Sequence, residues 1–335
     1  MPNKLIKLAA ERLRAGGVVA FPTETVYGLG ADARNEAAVR RVFAIKGRPV
    51  DHPLIVHLAD ASQVHDWAAE VTETARRLLA RFWPGPLTLV LPARGDVPRL
   101  VTGGQDSVAL RAPDHPMALA LLKAFGGGLA APSANPFGAL SPTEAWHVRS
   151  AFGIRVDQVL DGGLCRLGLE STIVSLLDGR ARVLRPGALP LSALREELGA
   201  EGIECAGLTD RTSAFLPRVP GTLAAHYAPA TPLEIHDLQD LPARATALLD
   251  EGLRVAVLRC NRSLRGSPLP PALPQFLLPA RAQAYARGLY ARLRELDRLA
   301  FDCILIEAPP NDEAWWAVND RLARAAHGHS RKLRA

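Results

Sequence analysis

The sequence has 335 residues, of which 48% are hydrophobic and 22% charged, which excludes a disordered chain and leaves room for two domains. A net charge of +6 fits a polyanionic partner such as a nucleotide, RNA or an acidic membrane, and equally fits Arg-rich helices that keep a protein in solution. The cysteines at positions 165, 205, 260 and 303 form no C-x-x-C pair, no apolar run is long enough to span a bilayer, and Met1–Lys4 leads into an amphipathic pattern instead of a signal-peptide core. The expectation is a reduced, cytoplasmic protein without a protein-built metal site.

Leu5, Leu8, Ala9 and Leu13 recur at helical spacing until Gly16-Gly17 stops them. Val18–Phe21 reads as a buried strand that ends in the polar turn Pro22–Gly28. Asn35 is placed to cap a helix carrying Val39, Val42 and Phe43, which delivers Lys46-Gly47-Arg48-Pro49 at its end. A strand over Leu54–His57 follows, then helical patterns over Ala61–Trp67 and Thr72–Phe82. Strands are expected at Leu87–Leu91 and Ser107–Arg111, and a helix at Pro116–Phe125. Leu129–Ala131 then leads into Pro132-Ser133-Ala134-Asn135-Pro136.

Ser141-Pro142-Thr143-Glu144 has the form of a helix start, with Ser141 as cap and Glu144 closing a capping box. Strands at Val156–Leu160, Ser171–Ser175 and Arg182–Leu184 complete a first α/β domain with a mixed sheet. The stretch Thr209–Pro232 has linker composition yet carries His226-Tyr227-Ala228-Pro229. Beyond it, strands at Leu233–Ile235, Val255–Leu258 and Ile304–Ile306 alternate with helices at Ala243–Leu249, Ala282–Leu299 and Glu313–Ala325, which reads as a small open α/β sheet. The proline-rich Ser267–Pro279 reads as a loop.

Two stretches carry polar groups on stiff turns. Lys46 and Arg48 flank a glycine, with His52 close behind; two cations on one turn suit a triphosphate, and a helix C-terminus neutralising its dipole explains one of them. Ser133 and Asn135 point the same way if their segment is extended, and offer a hydroxyl and a carboxamide to a ligand or to their own turn. Gly28-Leu29-Gly30-Ala31-Asp32-Ala33 has the outline of a dinucleotide fingerprint but no helix opens on it, and no P-loop motif occurs.

Phe21-Pro22-Thr23-Glu24-Thr25-Val26-Tyr27-Gly28-Leu29, Lys46–Arg48, His57, Ser133–Asn135 and Leu169-Glu170-Ser171-Thr172-Ile173 occur in that order. This set resembles the YrdC-type threonylcarbamoyl-AMP synthases, in their long form with an added C-terminal domain. The resemblance implies a YrdC-like twisted mixed sheet with helices over residues 1–205, a linker or active-site lid over 206–231, and a Rossmann-like α/β domain over 232–335. It implies a nucleotidyltransferase that joins L-threonine, bicarbonate and ATP into threonylcarbamoyl-AMP with release of pyrophosphate and water. The product serves tRNA threonylcarbamoyladenosine modification by downstream threonylcarbamoyl-transfer proteins.

Carried over by position, Thr25, His57, Arg111, Ala131 and Ser171 would hold threonine. Lys46, Arg48, His52, Ser107, Ser133, Asn135, Ser141, Arg185 and Tyr227 would hold ATP, with Lys46, Arg48, Ser133 and Asn135 gripping the phosphates during catalysis. Mg²⁺ would arrive with ATP, and Tyr227 would help the linker close over the nucleotide. His57 is the side chain whose protonation would matter near neutral pH. The rival readings are a double-stranded RNA-binding module, with weak RNA binding also compatible with the synthase, and a carbamoyltransferase relative sharing the domain.

Overall fold

Helical spacing at the start of the chain builds α1 (Pro2–Arg14), and the apolar pair Val19 and Phe21 opens a strand whose alternate residues face opposite ways. The computed structural model describes residues 2–205, 216–260, 269–270 and 273–327. The chain divides into one unit of residues 1–137 and 141–222 and a second of residues 138–140 and 223–335. Linker residues 206–215 lie outside the described residues, as does most of the Ser267–Leu273 part of the expected loop.

In the first unit the strands are β1 (Val19–Phe21), β2 (Gly28–Asp32), β3 (Ile55–His57), β4 (Leu87–Pro92), β5 (Ser107–Arg111), β6 (Leu129–Ala130), β7 (Gln158–Val159), β8 (Thr172–Ser175), β9 (Ala181–Arg185) and β10 (Ile203–Cys205). The helices are α2 (Glu36–Lys46), α3 (Glu73–Phe82), α4 (Arg99–Thr102), α5 (Pro116–Phe125), α6 (Ala145–Phe152) and α7 (Leu191–Leu198). Among the described residues these strands form one mixed sheet in the order β10-β9-β8-β4-β5-β3-β6-β2-β1-β7. The α1 and α5 residues Leu13, Leu121 and Leu122 pack on Val19, Phe21 and Leu129 of one sheet face. The α2 and α6 residues Val42, Val148 and Phe152 pack on Ala20, Leu29 and Ala31 of the other.

Three local expectations change in the folded chain, and the rejection of a dinucleotide fingerprint at Gly28–Ala33 stands. Ala61–Asp66 is a 3₁₀ turn, capped by Asp60. The Gly28-Leu29-Gly30 stretch is strand β2, and a Cβ on Gly30 would meet the Phe21 ring at 2.7 Å, so the glycine serves strand packing and not a pyrophosphate. The helix after Ser141 starts later than its S-P-x-E pattern suggests. Glu144 is the N-cap of α6, and the box is closed by His147, whose Nδ1 accepts from the Glu144 N–H at 3.1 Å. Ser141 instead donates to Glu170 at 2.6 Å. Finally, Asn135 sits in a bend, with its N–H on the Ser133 carbonyl at 3.0 Å, so Ser133 and Asn135 do not share an extended strand.

The second unit holds β11 (Leu233–His236), α8 (Leu241–Asp250), β12 (Val255–Cys260), β13 (Gln275–Leu278), α9 (Ala282–Arg298), β14 (Cys303–Glu307) and α10 (Trp316–His327). All pairings are parallel, in the order β11-β14-β12-β13. β13 lies within the segment expected as loop; its partners come from β12, and neighbouring prolines hide its local pattern. Tyr227 is 2% exposed, has φ of 59°, stacks on Tyr290 and receives Arg321 over its ring at 4.9 Å.

A candidate active site on one sheet face

Strand alternation and register set the site. Ile55 and Ala109 pair across β3 and β5, and two residues on His57 pairs with Arg111, so all four share a face. Val90 of β4 and Ile173 of β8 join Ile55 and Ala109 in one apolar cluster, which places Thr88 and Ser171 on the same side. Their hydroxyls lie 2.7 Å apart. Arg185, opposite Ile173, donates through Nη2 to the Ser171 carbonyl at 2.7 Å and its hydroxyl at 3.2 Å. This part of the face is covered by the segment from Leu216 to Thr222. Val219 packs into the cluster, the Pro220 carbonyl accepts from Arg185 Nη1 at 2.9 Å, and Arg218 donates to the Gly103 carbonyl at 2.7 Å.

The Phe21–Leu29 stretch borders this face through its backbone. Gly28 bridges Ser133, the Leu29 N–H donates to the Pro132 carbonyl at 2.8 Å, and the Ala134 N–H donates to the Tyr27 carbonyl at 2.8 Å. On its other side, Leu167 and Gly168 N–H groups donate to the Glu24 and Thr25 carbonyls at 2.8 and 3.1 Å. The Thr25 hydroxyl meets that of Thr23 at 2.8 Å. Glu24, for which the sequence motif carries no assigned role, accepts from Arg111 Nη2 at 2.6 Å; the two side chains are 1% and 4% exposed. The Ala131 N–H is bonded to the Ile55 carbonyl at 2.9 Å.

The two polar turns meet through one side chain. Gly47 ends α2 at φ 63°, a left-handed value that glycine adopts without strain. This cap turns the chain so that the Lys46 ammonium donates to the Ser133 carbonyl at 2.5 Å and to the Asn135 carbonyl. The return bond runs from the Phe137 N–H to the Lys46 carbonyl at 2.8 Å. Burial, with the Arg48 charge adding to it, holds the Lys46 amine well below its ordinary range. Arg48 donates to the Pro53 carbonyl at 2.9 Å and lies over the Phe137 ring, which His52 meets edge-on at 5.3 Å. Burial and then Arg48 lower the His52 pKa as well.

His57 corrects one expectation. Burial, followed by the Arg111 charge, pushes its pKa down to about 3, so its ring is neutral near pH 7 and does not titrate there. Its ring stands edge-on to Phe21 at 5.8 Å. Ser107 opens β5 on the side of the face that carries Ala109 and Arg111, and is 7% exposed. Tyr227 belongs to the second unit. A separate hollow of about 640 Å³ is lined by Asp32, Arg34, Trp67, Arg94 and Asp96 and by none of the residues expected to bind substrate. Its Arg34 and Arg94 are both paired with Asp96.

Sequence reasoning passed over Glu24, Thr88, Phe137 and Glu170. Glu24 and Glu170 had a signal in the sequence, as the sole charged residues of the Phe21–Leu29 and Leu169–Ile173 motifs. Thr88 and Phe137 had none, because their roles depend on partners far away in the chain. No group of three or more His, Cys, Asp or Glu side chains suited to a metal occurs among the described residues, and no helix among them is long and apolar enough to cross a membrane.

A mixed sheet with buried cations at two joined turns and a buried carboxylate–guanidinium pair is the architecture of an α/β enzyme with a polar cluster on one sheet face. A family model described as telomere recombination (Sua5, YciO and YrdC) matches residues 11–187, and one described as the threonylcarbamoyl-AMP synthase C-terminal domain matches residues 192–327. The threonylcarbamoyl-AMP synthase of Pyrococcus abyssi is 42% identical over 327 residues, 96% of this chain and 94% of the relative. That of Bacillus subtilis is 42% identical over 329 residues, 96% of this chain and 93% of the relative. The crystal structure of P. abyssi Sua5 complexed with L-threonine superposes with a TM-score of 0.87 at 39% identity, covering 97% of this chain and 94% of that one. The chain belongs to the threonylcarbamoyl-AMP synthase family.

Proposed function

We propose that the face bearing His57, Arg111 and Ser171, with the joined Lys46–Arg48 and Ser133–Asn135 turns, is where L-threonine, bicarbonate and ATP become threonylcarbamoyl-AMP, pyrophosphate and water. The observation that carries this reading is the Lys46 ammonium, which ties the two turns together and brings Arg48 beside them. An ammonium has three donors. Two are spent on the Ser133 and Asn135 carbonyls, and the third is available to a phosphate oxygen. The positive charge of Arg48 adds to the attraction and raises no barrier to an incoming anion. Mg²⁺ enters as part of the MgATP substrate, held by phosphate oxygens and water.

The chemistry asks little covalent work of the protein. Bicarbonate loses hydroxide to give CO₂, which bonds to the threonine nitrogen as an N-carboxylate, while one proton from the nitrogen joins that hydroxide as water and the other passes to solvent. A carboxylate oxygen then bonds to the α-phosphorus as the bond to pyrophosphate breaks. Lys46 and Arg48 offset phosphate charge, and Arg111 orients the amino-acid carboxylate. The neutral His57 ring and the hydroxyls of Thr25 and Ser171 offer hydrogen bonds to the remaining polar atoms without adding charge. The adenylate then supplies tRNA threonylcarbamoyl transfer.

The test is pyrophosphate release from MgATP, with threonine and bicarbonate each omitted in turn. Release that requires both substrates is expected, and release indifferent to either one overturns the reading.

A further inference from the structure

A guanidinium that is to hold a phosphate has to be fixed in place without spending the N–H groups and the charge that do the holding. Arg48 is 7% exposed and lies two residues past the end of α2. Its Nη2 donates to the Pro53 carbonyl at 2.9 Å, and its Cζ lies 5.7 Å from the centre of the Phe137 ring. A ring face attracts a cation through its quadrupole, takes none of the five N–H donors and cancels none of the charge. Arg34 shows the contrast. It lies 4.4 Å over the Trp67 ring, but its N–H groups also go to the Asp96 carboxylate at 3.1 Å and to the Asp66 carbonyl at 2.8 Å. Phe137 is itself fastened to the turn that carries Arg48. Its N–H donates to the Lys46 carbonyl at 2.8 Å, and the Lys46 ammonium returns to the Ser133 and Asn135 carbonyls. His52 meets the same ring edge-on at 5.3 Å.

We propose that Phe137 is a positioning residue for the reaction: its ring face fixes the Arg48 guanidinium for the triphosphate of MgATP without drawing on the N–H groups. The assignment rests on the proposed function and adds to it a residue that acts through Arg48. The backbone bond to Lys46 places the ring, and the ring places the cation. Because the attraction comes from the π face, it follows the electron density of the ring and not its bulk. Another electron-rich ring at position 137 therefore serves in place of Phe, and an aliphatic side chain of similar size does not. The packing of the turn, in contrast, asks only for an apolar group.

The test follows pyrophosphate release by the full chain, with kinetics measured separately against MgATP and against threonine and folding checked by thermal melting. Phe137→Leu is expected to lower kcat/KM for MgATP about 5- to 30-fold. Its KM for threonine stays within about twofold of wild type, and Phe137→Tyr keeps both substrates within that range. In an Arg48→Ala background, Phe137→Leu adds less than about a twofold loss, because the two changes remove one interaction. A full further loss in that background, or equal rises in KM for both substrates, would mean that Phe137 only supports packing, and overturns the proposal. Unchanged kcat/KM in Phe137→Leu overturns it as well. Pentafluorophenylalanine at position 137 keeps nearly the shape of Phe and reverses the ring quadrupole, which covers a failure of Phe137→Leu to fold. It is expected to lose at least as much as Phe137→Leu, and wild-type kinetics there overturn the proposal. In each of these cases threonine- and bicarbonate-dependent pyrophosphate release by wild type leaves the synthase reading standing. Wild-type release that ignores either substrate removes both.

Discussion

Both units bury charged side chains, but they satisfy them differently. In the second unit, Asp320 is 1% exposed and accepts from Arg321 at 2.6 Å and from Arg324 at 2.6 and 2.9 Å. Both of its oxygens are used, and Arg324 also donates to the Leu223 carbonyl. In the first unit, Glu24 uses one oxygen and Lys46 spends two of its three donors. The first arrangement is that of a structural joint, and the second that of a site whose polar capacity exceeds what the fold consumes. Buried charge alone therefore does not mark function.

The comparison breaks or sharpens with three substitutions. The largest effect is expected from Asp320→Ala, which strands two buried guanidinium groups and should cost about 3–5 kcal/mol in denaturant unfolding. The same change at Asp96, an exposed partner of Arg34, should leave the unfolding midpoint nearly unmoved. A small effect at Asp320 would remove the distinction between buried network and surface pair. Arg48→Ala should act the other way, lowering ATP-dependent turnover by about 10²–10³-fold, or about 3–4 kcal/mol in the barrier. Its unfolding midpoint should move far less than that of Asp320→Ala; a pure stability loss with normal turnover per folded molecule would assign Arg48 to packing.

A further effect concerns acid. His57 has a folded pKa near 3 against an ordinary 6.5, so the unfolded chain binds the extra proton between those values. Stability from this group is therefore present above about pH 6.5 and is lost as pH falls towards 3. His57→Gln should flatten that limb by roughly 1 kcal/mol per pH unit in stability measured against pH. An unchanged acid limb would mean that the ring is not held neutral by the fold.

Some of the architecture was legible locally. The helix at Pro116–Phe125 and the strand at Ser107–Arg111 occur where spacing and flanking residues place them, and the Asn35 side chain caps α2 by accepting from the Ala38 N–H at 3.1 Å. Each depends on neighbours within a few residues. The order of the motifs was equally visible, and with it the family. By contrast, the S-P-x-E pattern misled because a better local acceptor, the His147 ring, closes the box on Glu144, which leaves Ser141 to Glu170.

The sequence by itself determined the periodicities, the helix caps and the set of polar residues on stiff turns, because these follow from interactions along a short stretch of chain. Only the tertiary structure decided that the Lys46 ammonium joins carbonyls 87 and 89 positions away, or that Glu24 faces Arg111 across 87 positions. It also made β13 a strand and His57 a neutral ring, since ladder partners and desolvation are properties of what surrounds a residue in space. The same reason explains why Glu24 could be read in its motif but not given a role: its partner, the Arg111 guanidinium, is brought to it only by folding.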